Sequence, residues 1–204
     1  MSMNTVPERL AALRAAMAAN GVAVYLIPVG DPHASEYLPC HYTSLTWFSG
    51  FHGENSNFVV TRTESALWAD GRYFVQAEKE IAGTEIKLQR MGEPGVPTVE
   101  EYCGKVLPEN GVLGLCGLTA SCGLVRGVQK KLDAKKGTIK TLNLEDELWT
   151  EGRPARPATP AWILPKEYAG FSPAEKLERL RGKLKELGCT AQLVGKLDNL
   201  AWLL

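Results

Sequence analysis

Leu10, Leu13 and Met17 fall on one face of a helix that Thr5 and Glu8 open as a capping box and Gly21 closes. The compact apolar run "VAVYLIP" that follows reads as a strand. After a loop rich in proline and histidine, "NFVVT" and "SALWA" are separated only by the polar turn Arg62 to Glu64, which predicts a hairpin. In "RYFVQAEKEIA" the period lengthens again, and Tyr73, Phe74, Ala77 and Ile81 share a helical face. "EIKLQR" returns as a strand, and Thr98 with Glu101 makes a second capping box for another helix. "GVLGLCG" is then a strand, "LVRGVQKKLDAKKG" a helix and "TIKTLNL" a strand. Helices alternating with strands predict an α/β fold, a mixed β-sheet flanked by helices, because each amphipathic helix must cover a sheet face.

From Gly152 the texture changes. Pro154, Pro157, Pro160 and Pro165 crowd into "GRPARPATPAWILP", a density that suits an extended linker. Ser172, Pro173 and Glu175 then supply a cap, a first-turn proline and a capping-box acid for a new helix. This helix repeats the first: Glu8–Ile27 aligns without gaps on Glu175–Val194, an offset of 175 − 8 = 167, with six identical positions. Among them are Leu10/Leu177, Leu13/Leu180 and the helix-stopping Gly21/Gly188. Helical periodicity alone explains some of these, but the set favours duplication. The predicted organisation is a complete domain over 1–152, a proline-rich linker over 153–171 and the truncated start of a second, related α/β domain over 172–204. "LDNLAWLL" ends in an apolar run with no stop signal, so the chain is expected to be an N-terminal fragment of a longer one. The leucine face Leu177, Leu180, Leu184 and Leu187 is then expected to be exposed and prone to self-association.

Composition narrows the function classes. At 204 residues, 45% hydrophobic and 23% charged, the chain is an ordinary globular one. Its 23 basic and 23 acidic residues cancel without a basic block, which argues against a nucleic-acid partner. No apolar run has the length of a membrane span or the form of a signal peptide, so no membrane association is expected and the location is read as cytoplasmic. Cys40, Cys103, Cys116, Cys122 and Cys189 lack CxxC spacing and are expected to be mostly small core thiols.

Candidate chemistry is sparse. His33, His41 and His52 lie within twenty residues near Asp31, Glu36, Cys40 and Glu54, but in no compact metal-ligand spacing. "GVLGLCG" resembles a phosphate loop only by glycine count, and Ser121 beside Cys122 has no base or orienting group in sequence. "WADGRYF" is more pointed. Asp70-Gly71 reads as a tight strand-to-helix turn with Asp70 capping the helix, and Arg72 in its first turn opposes the helix dipole. That breach of a local rule suggests a partner carboxylate, within the domain or on a ligand.

With these segments in view, the chain resembles the Xaa-Pro aminopeptidases (aminopeptidase P) of the creatinase/prolidase group. The carriers are "YLIPVGDPHASEYL", "FSGFHGENSNFVVT", "LWADGRYFVQAEKEI", "LWTEGRPARP" and "LDNLAWLL", in the family's order over essentially all 204 residues. The best match is to the three-domain form. The resemblance implies two related N-terminal α/β domains before a "pita-bread" catalytic domain. That third domain carries two divalent metals, usually manganese, on two Asp, one His and two Glu, and a metal-bound hydroxide attacks the bond before a penultimate proline. None of those ligands can be placed on this chain, so the resemblance assigns it no catalytic or metal residue and no cofactor of its own. It implies instead a scaffold that contributes to a homodimer and to the active-site mouth, with proline-containing peptides as the parent's substrates. By position, the loop His52 to Asn57, with Glu54 and Asn55, and the Asp70/Arg72 turn are the candidates to face that mouth. The loop reads "HGENSN" where small residues are usual in the family. A stand-alone, non-catalytic dimerisation or peptide-binding module is the alternative, and a small-molecule enzyme built on the three histidines is a third.

Overall fold

The computed structural model describes residues 5–204. The chain divides into two compact units, one running to Pro32 and from Tyr37 to Arg156, the other comprising His33–Glu36 and Pro157–Leu204.

In chain order the first unit contains α1 (Val6–Ala19), β1 (Val24–Pro28), α2 (Ser44–Ser49), β2 (Asn57–Thr61), β3 (Ser65–Ala69), α3 (Phe74–Glu80) and β4 (Lys87–Arg90). It continues with α4 (Val99–Val106), β5 (Val112–Leu115), α5 (Cys122–Leu132), β6 (Thr138–Thr141) and α6 (Leu144–Leu148). The strands form one sheet in the order β4-β3-β2-β1-β5-β6. The β1–β2 and β2–β3 pairs are antiparallel, whereas β3–β4, β1–β5 and β5–β6 are parallel, so the sheet is mixed as the alternation predicts. The hairpin turn forms at the predicted place: Glu64 N–H donates to Thr61 Oγ1 at 2.9 Å and Thr61 N–H to Glu64 O at 2.8 Å. Both capping boxes are present, Thr5 with Glu8 on α1 and Thr98 with Glu101 on α4.

Strand alternation sorts the core into two layers. Tyr25, Ile27, Phe58, Val60 and Leu67 face α1, α2, α3 and α6, packing with Leu10, Leu13, Met17, Phe48, Ala77 and Leu144. Val24, Leu26, Val59, Ala66 and Trp68 face the other way, onto Val99 and Cys103 of α4 and Val128 and Leu132 of α5. With both faces covered, β1 and β3 are buried at every position, which explains the apolar runs Val24–Pro28 and, after Ser65, 66–69. A ring stack ties the end of the unit to its beginning. The guanidinium of Arg9 lies 4.7 Å over Trp47, Trp47 stacks on Trp149 at 5.6 Å and 14°, and Arg153 lies 5.2 Å over Trp149.

Three expectations need correction. Phe74 opens α3 only half-buried, 5.2 Å from the Arg90 guanidinium, while Tyr73, Ala77 and Ile81 meet the core. Only Cys103 and Cys116 of the five cysteines are buried, because Cys40, Cys122 and Cys189 fall on turns and helix ends. Asp70 does not cap α3, whose N-cap is Tyr73, so Arg72 precedes the helix and does not oppose its dipole.

The second unit holds α7 (Lys166–Ala169), α8 (Pro173–Glu186) and α9 (Leu197–Leu203). Helix α8 has the same opening as α1, a capping box at Ser172/Glu175 with proline in the first turn, and both are followed by a left-handed glycine, Gly21 at φ +69° and Gly188 at +64°. Lys176 lies 4.9 Å over the Trp202 ring and donates to Trp202 O at 2.5 Å, which holds α9 on α8. Leu177, Leu180 and Leu184 are half-buried, whereas Leu187 is 64% exposed.

Gly114 of β5 sits beside Tyr25 in the parallel register, and a Cβ there would lie 2.7 Å from the Tyr25 ring. Gly114→Ala is expected to lower the stability of the first unit by about 1–3 kcal/mol, the usual cost of overpacking, read as a fall in denaturant midpoint at unchanged slope.

Candidate functional site

The predicted site residues come together on one corner of the first unit, where α2 ends, β2 begins and β3 runs into α3. Helix α2 stops at Gly50, and Phe51 turns inward, fully buried, with its N–H donating to Ser49 Oγ at 3.1 Å. The chain then folds back across its own ring. A Cβ on Gly53 would lie 2.1 Å from the ring tip of Phe51, so only glycine fits there. Asn55 adopts the left-handed region at φ +46°, which turns the loop into β2, and Ser56 O accepts from Val29 N–H at 3.0 Å.

The side chains of this corner are cross-linked in pairs. Glu80, at the end of α3, accepts His52 N–H at 2.9 Å, and its other oxygen lies 3.4 Å from His52 Nδ1. Tyr73 Oη donates to Glu54 at 3.4 Å. Asp70 is the hub: it accepts from Asn55 Nδ2 at 3.1 Å, from the Arg72 backbone at 3.0 Å and from the Arg72 guanidinium at 2.7 Å. The partner carboxylate that Arg72 demands is therefore two residues away. The Arg72 hydrogen bonds hold the Asp70 carboxyl down at about 2, and Asn55 adds to the effect. The corner brings together three carboxylates, a guanidinium, an imidazole, a phenol and a carboxamide, each engaged with another of the set. Such a set stiffens a loop and presents polar edges; it contains no nucleophile with a base beside it.

The other candidates lie elsewhere. His41 Nδ1 donates to Pro154 O at 2.8 Å, and its Nε2 accepts from Arg156 at 3.3 Å, so both ring nitrogens are engaged. Ser121 is the N-cap of α5, its Oγ accepting Leu124 N–H at 3.2 Å. Among the described residues no group of three His, Cys, Asp or Glu could hold a metal ion. Sequence reasoning missed Glu80 and Tyr73, the partners of His52 and Glu54; Tyr73 is the N-cap of α3 and Glu80 its last residue, seven positions on and so on the same side of the helix.

A creatinase/prolidase N-terminal domain family model matches residues 9–148. The chain belongs to that family. A second family model, also described as a creatinase/prolidase N-terminal domain, matches residues 152–204. The chain is 37% identical over 205 residues to Aminopeptidase P2 of Arabidopsis thaliana, covering 98% of this chain and 29% of the relative. It is 34% identical over 211 residues to the Xaa-Pro aminopeptidase app-1 of Caenorhabditis elegans, covering 98% and 34%. The crystal structure of an X-prolyl aminopeptidase from C. elegans, described as a cytosolic enzyme with a di-nuclear active site, fits with a TM-score of 0.83 at 34% identity. That fit covers 98% of this chain and 34% of the other. The aminopeptidase P structure of Streptococcus thermophilus shares the fold at a TM-score of 0.50 and 17% identity. The chain thus spans about a third of the length of the curated relatives it matches. Among its described residues no helix is long and apolar enough to cross a membrane.

The folded-state value of Asp70 lies below its ordinary 3.8, so the clamp's contribution is present above that value and lost as pH falls toward 2. A carboxyl 13C titration of Asp70 is expected to show a midpoint near 2 in the native chain. Arg72→Ala should move it up toward 3.8, and Asn55→Ala should move it less, in keeping with the order of their contributions.

Proposed function

We propose that the chain is the non-catalytic N-terminal region of a metal-dependent, cytoplasmic Xaa-Pro aminopeptidase, whose parent releases the first residue from peptides with proline in second position. The observation that carries this is full-length similarity: relatives of that activity match 98% or more of this chain at 34–37% identity while extending well beyond it. In this reading the first 152 residues are one complete domain, 153–171 a connector, and the residues from 172 the opening of a second, related domain. Support for the repeat comes from two family models of the same description on the two parts, and from the shared opening of α1 and α8.

The corner of His52, Glu54, Asn55, Asp70 and Arg72 lies at the mouth of a catalytic site built by other residues, and the first unit contributes to a homodimer. Arg72 keeps 65% of its side chain exposed while Asp70 fixes its direction, so it offers a preset positive edge to a peptide or to a neighbouring subunit. The two divalent metals, manganese in this reading, belong to the catalytic domain.

The chain alone should neither hydrolyse a short Xaa-Pro peptide nor gain activity on adding manganese; metal-dependent turnover by a clean preparation would overturn the assignment. In a full-length protein carrying this chain, Arg72→Ala should lower kcat/KM for such peptides about tenfold, roughly 1.4 kcal/mol of transition-state binding. An unchanged kcat/KM would remove Arg72 from the mouth.

A further inference from the structure

Glu145 of α6 is 2% exposed, yet belongs to none of the paired charges described above. Its Oε2 lies 2.5 Å from Tyr25 Oη, in the middle of β1. The same Oη lies 3.0 Å from Leu142 O and accepts Leu144 N–H at 3.2 Å. A tyrosine hydroxyl carries one hydrogen. Were Glu145 ionised, that hydrogen would have to serve both the carboxylate and Leu142 O, leaving one of two close oxygen–oxygen contacts without a proton. A neutral carboxylic acid resolves the count. Glu145 O–H donates to Tyr25 Oη, Tyr25 O–H donates to Leu142 O, and the Oη lone pairs take the Glu145 and Leu144 hydrogens.

We propose that Glu145 is a proton-operated latch: a neutral acid that closes the β6–α6 junction onto β1, and that loosens the junction when its proton leaves to water. The groups facing it from each packed element fit this role. Tyr25 comes from β1, Cys116 from the end of β5 and Tyr42 from the turn before α2, and none of them is a cation. Asp146, the next residue, repels a second negative charge. Arg153 and Arg156 line the same small cavity, but Arg153 is committed to Asp146 and to His41 O at 3.1 and 3.2 Å, and Arg156 to Asp146 and the His41 ring. The cavity offers about 10 Å³, room for about one water. Burial accordingly raises the carboxyl to about 7, which puts the proton's departure near neutrality.

The sign follows from linkage. The folded chain holds the Glu145 proton where the unfolded chain, at about 4.5, has lost it, so stability falls as pH rises from about 4.5 to about 7 and then levels off. Glu145→Gln keeps a donor for Tyr25 Oη and removes the titration. The denaturant midpoint of the native chain is expected to fall between pH 5 and 8, while that of E145Q stays flat across this window and exceeds the native value at pH 8. Parallel curves would overturn the latch. A carboxyl 13C titration of Glu145 in the native chain decides it even if the variant fails to fold: a midpoint near 7 supports the latch, and one near the ordinary 4.5 overturns it.

Discussion

The first unit depends on β1 being buried on both faces. A strand in that position must be apolar at every residue, and Val24–Pro28 is, except for the hydroxyl of Tyr25. That one polar atom constrains much of what surrounds it. Its ring needs the space that Gly114 leaves on β5, and its oxygen needs partners inside an apolar layer. The chain supplies them from residues 142–145, which brings α6 against β1. Asp146 then fixes Arg153, and Arg153 completes the Arg9–Trp47–Trp149 stack. The path by which the chain closes its first unit follows from satisfying a single buried oxygen.

Much of this architecture is legible in the sequence, because its determinants are local. The capping boxes at Thr5, Thr98 and Ser172 each act within four residues, and the hairpin turn at Arg62–Glu64 needs only its own side chains. The failures share the opposite property. Asp70 is spaced as a cap but is drawn instead to Asn55, fifteen residues earlier in the chain, and to its neighbour Arg72. Glu145 stands in "NLEDELW", where an acidic residue reads as surface, and is buried by a strand 120 positions away. The buried cysteines are Cys103, on the inner face of α4, and Cys116, just past the end of β5, whereas Cys122 opens α5 and is exposed, and a scattered spacing does not encode which is which.

The candidate site sits between these cases. Its residues are named by position from the family resemblance, with Arg72 marked besides by an apparent clash with a helix dipole, but how they engage one another depends on the fold. Gly53 passes so close over Phe51 that the loop's path is set by core packing, and the corner is attached to the core and not draped over it. The exposed ion pairs contribute little energy in such a place. What they contribute is direction, since a guanidinium held on two oxygens of one aspartate points one way. In the proposed role, with a side chain presented to a site built elsewhere, that property matters more than stability.

Asp70 and Glu145 show how one fold assigns opposite behaviour to the same functional group. Both carboxyls are hydrogen-bonded, Asp70 to Asn55 and Arg72 and Glu145 to the Tyr25 hydroxyl. Asp70 has an arginine with donors to spare, so its charged form is favoured and the corner keeps its geometry throughout the physiological range. Arg153, which lines the same cavity as Glu145, is hydrogen-bonded to Asp146 and His41 O and not to Glu145, so burial outweighs its pull and the neutral form is favoured. A guanidinium bonded directly to the carboxyl decides the one case, and burial without such a bond decides the other. The consequence is a unit whose Asp70–Arg72 clamp stays charged near neutrality while the joint that closes its core titrates there.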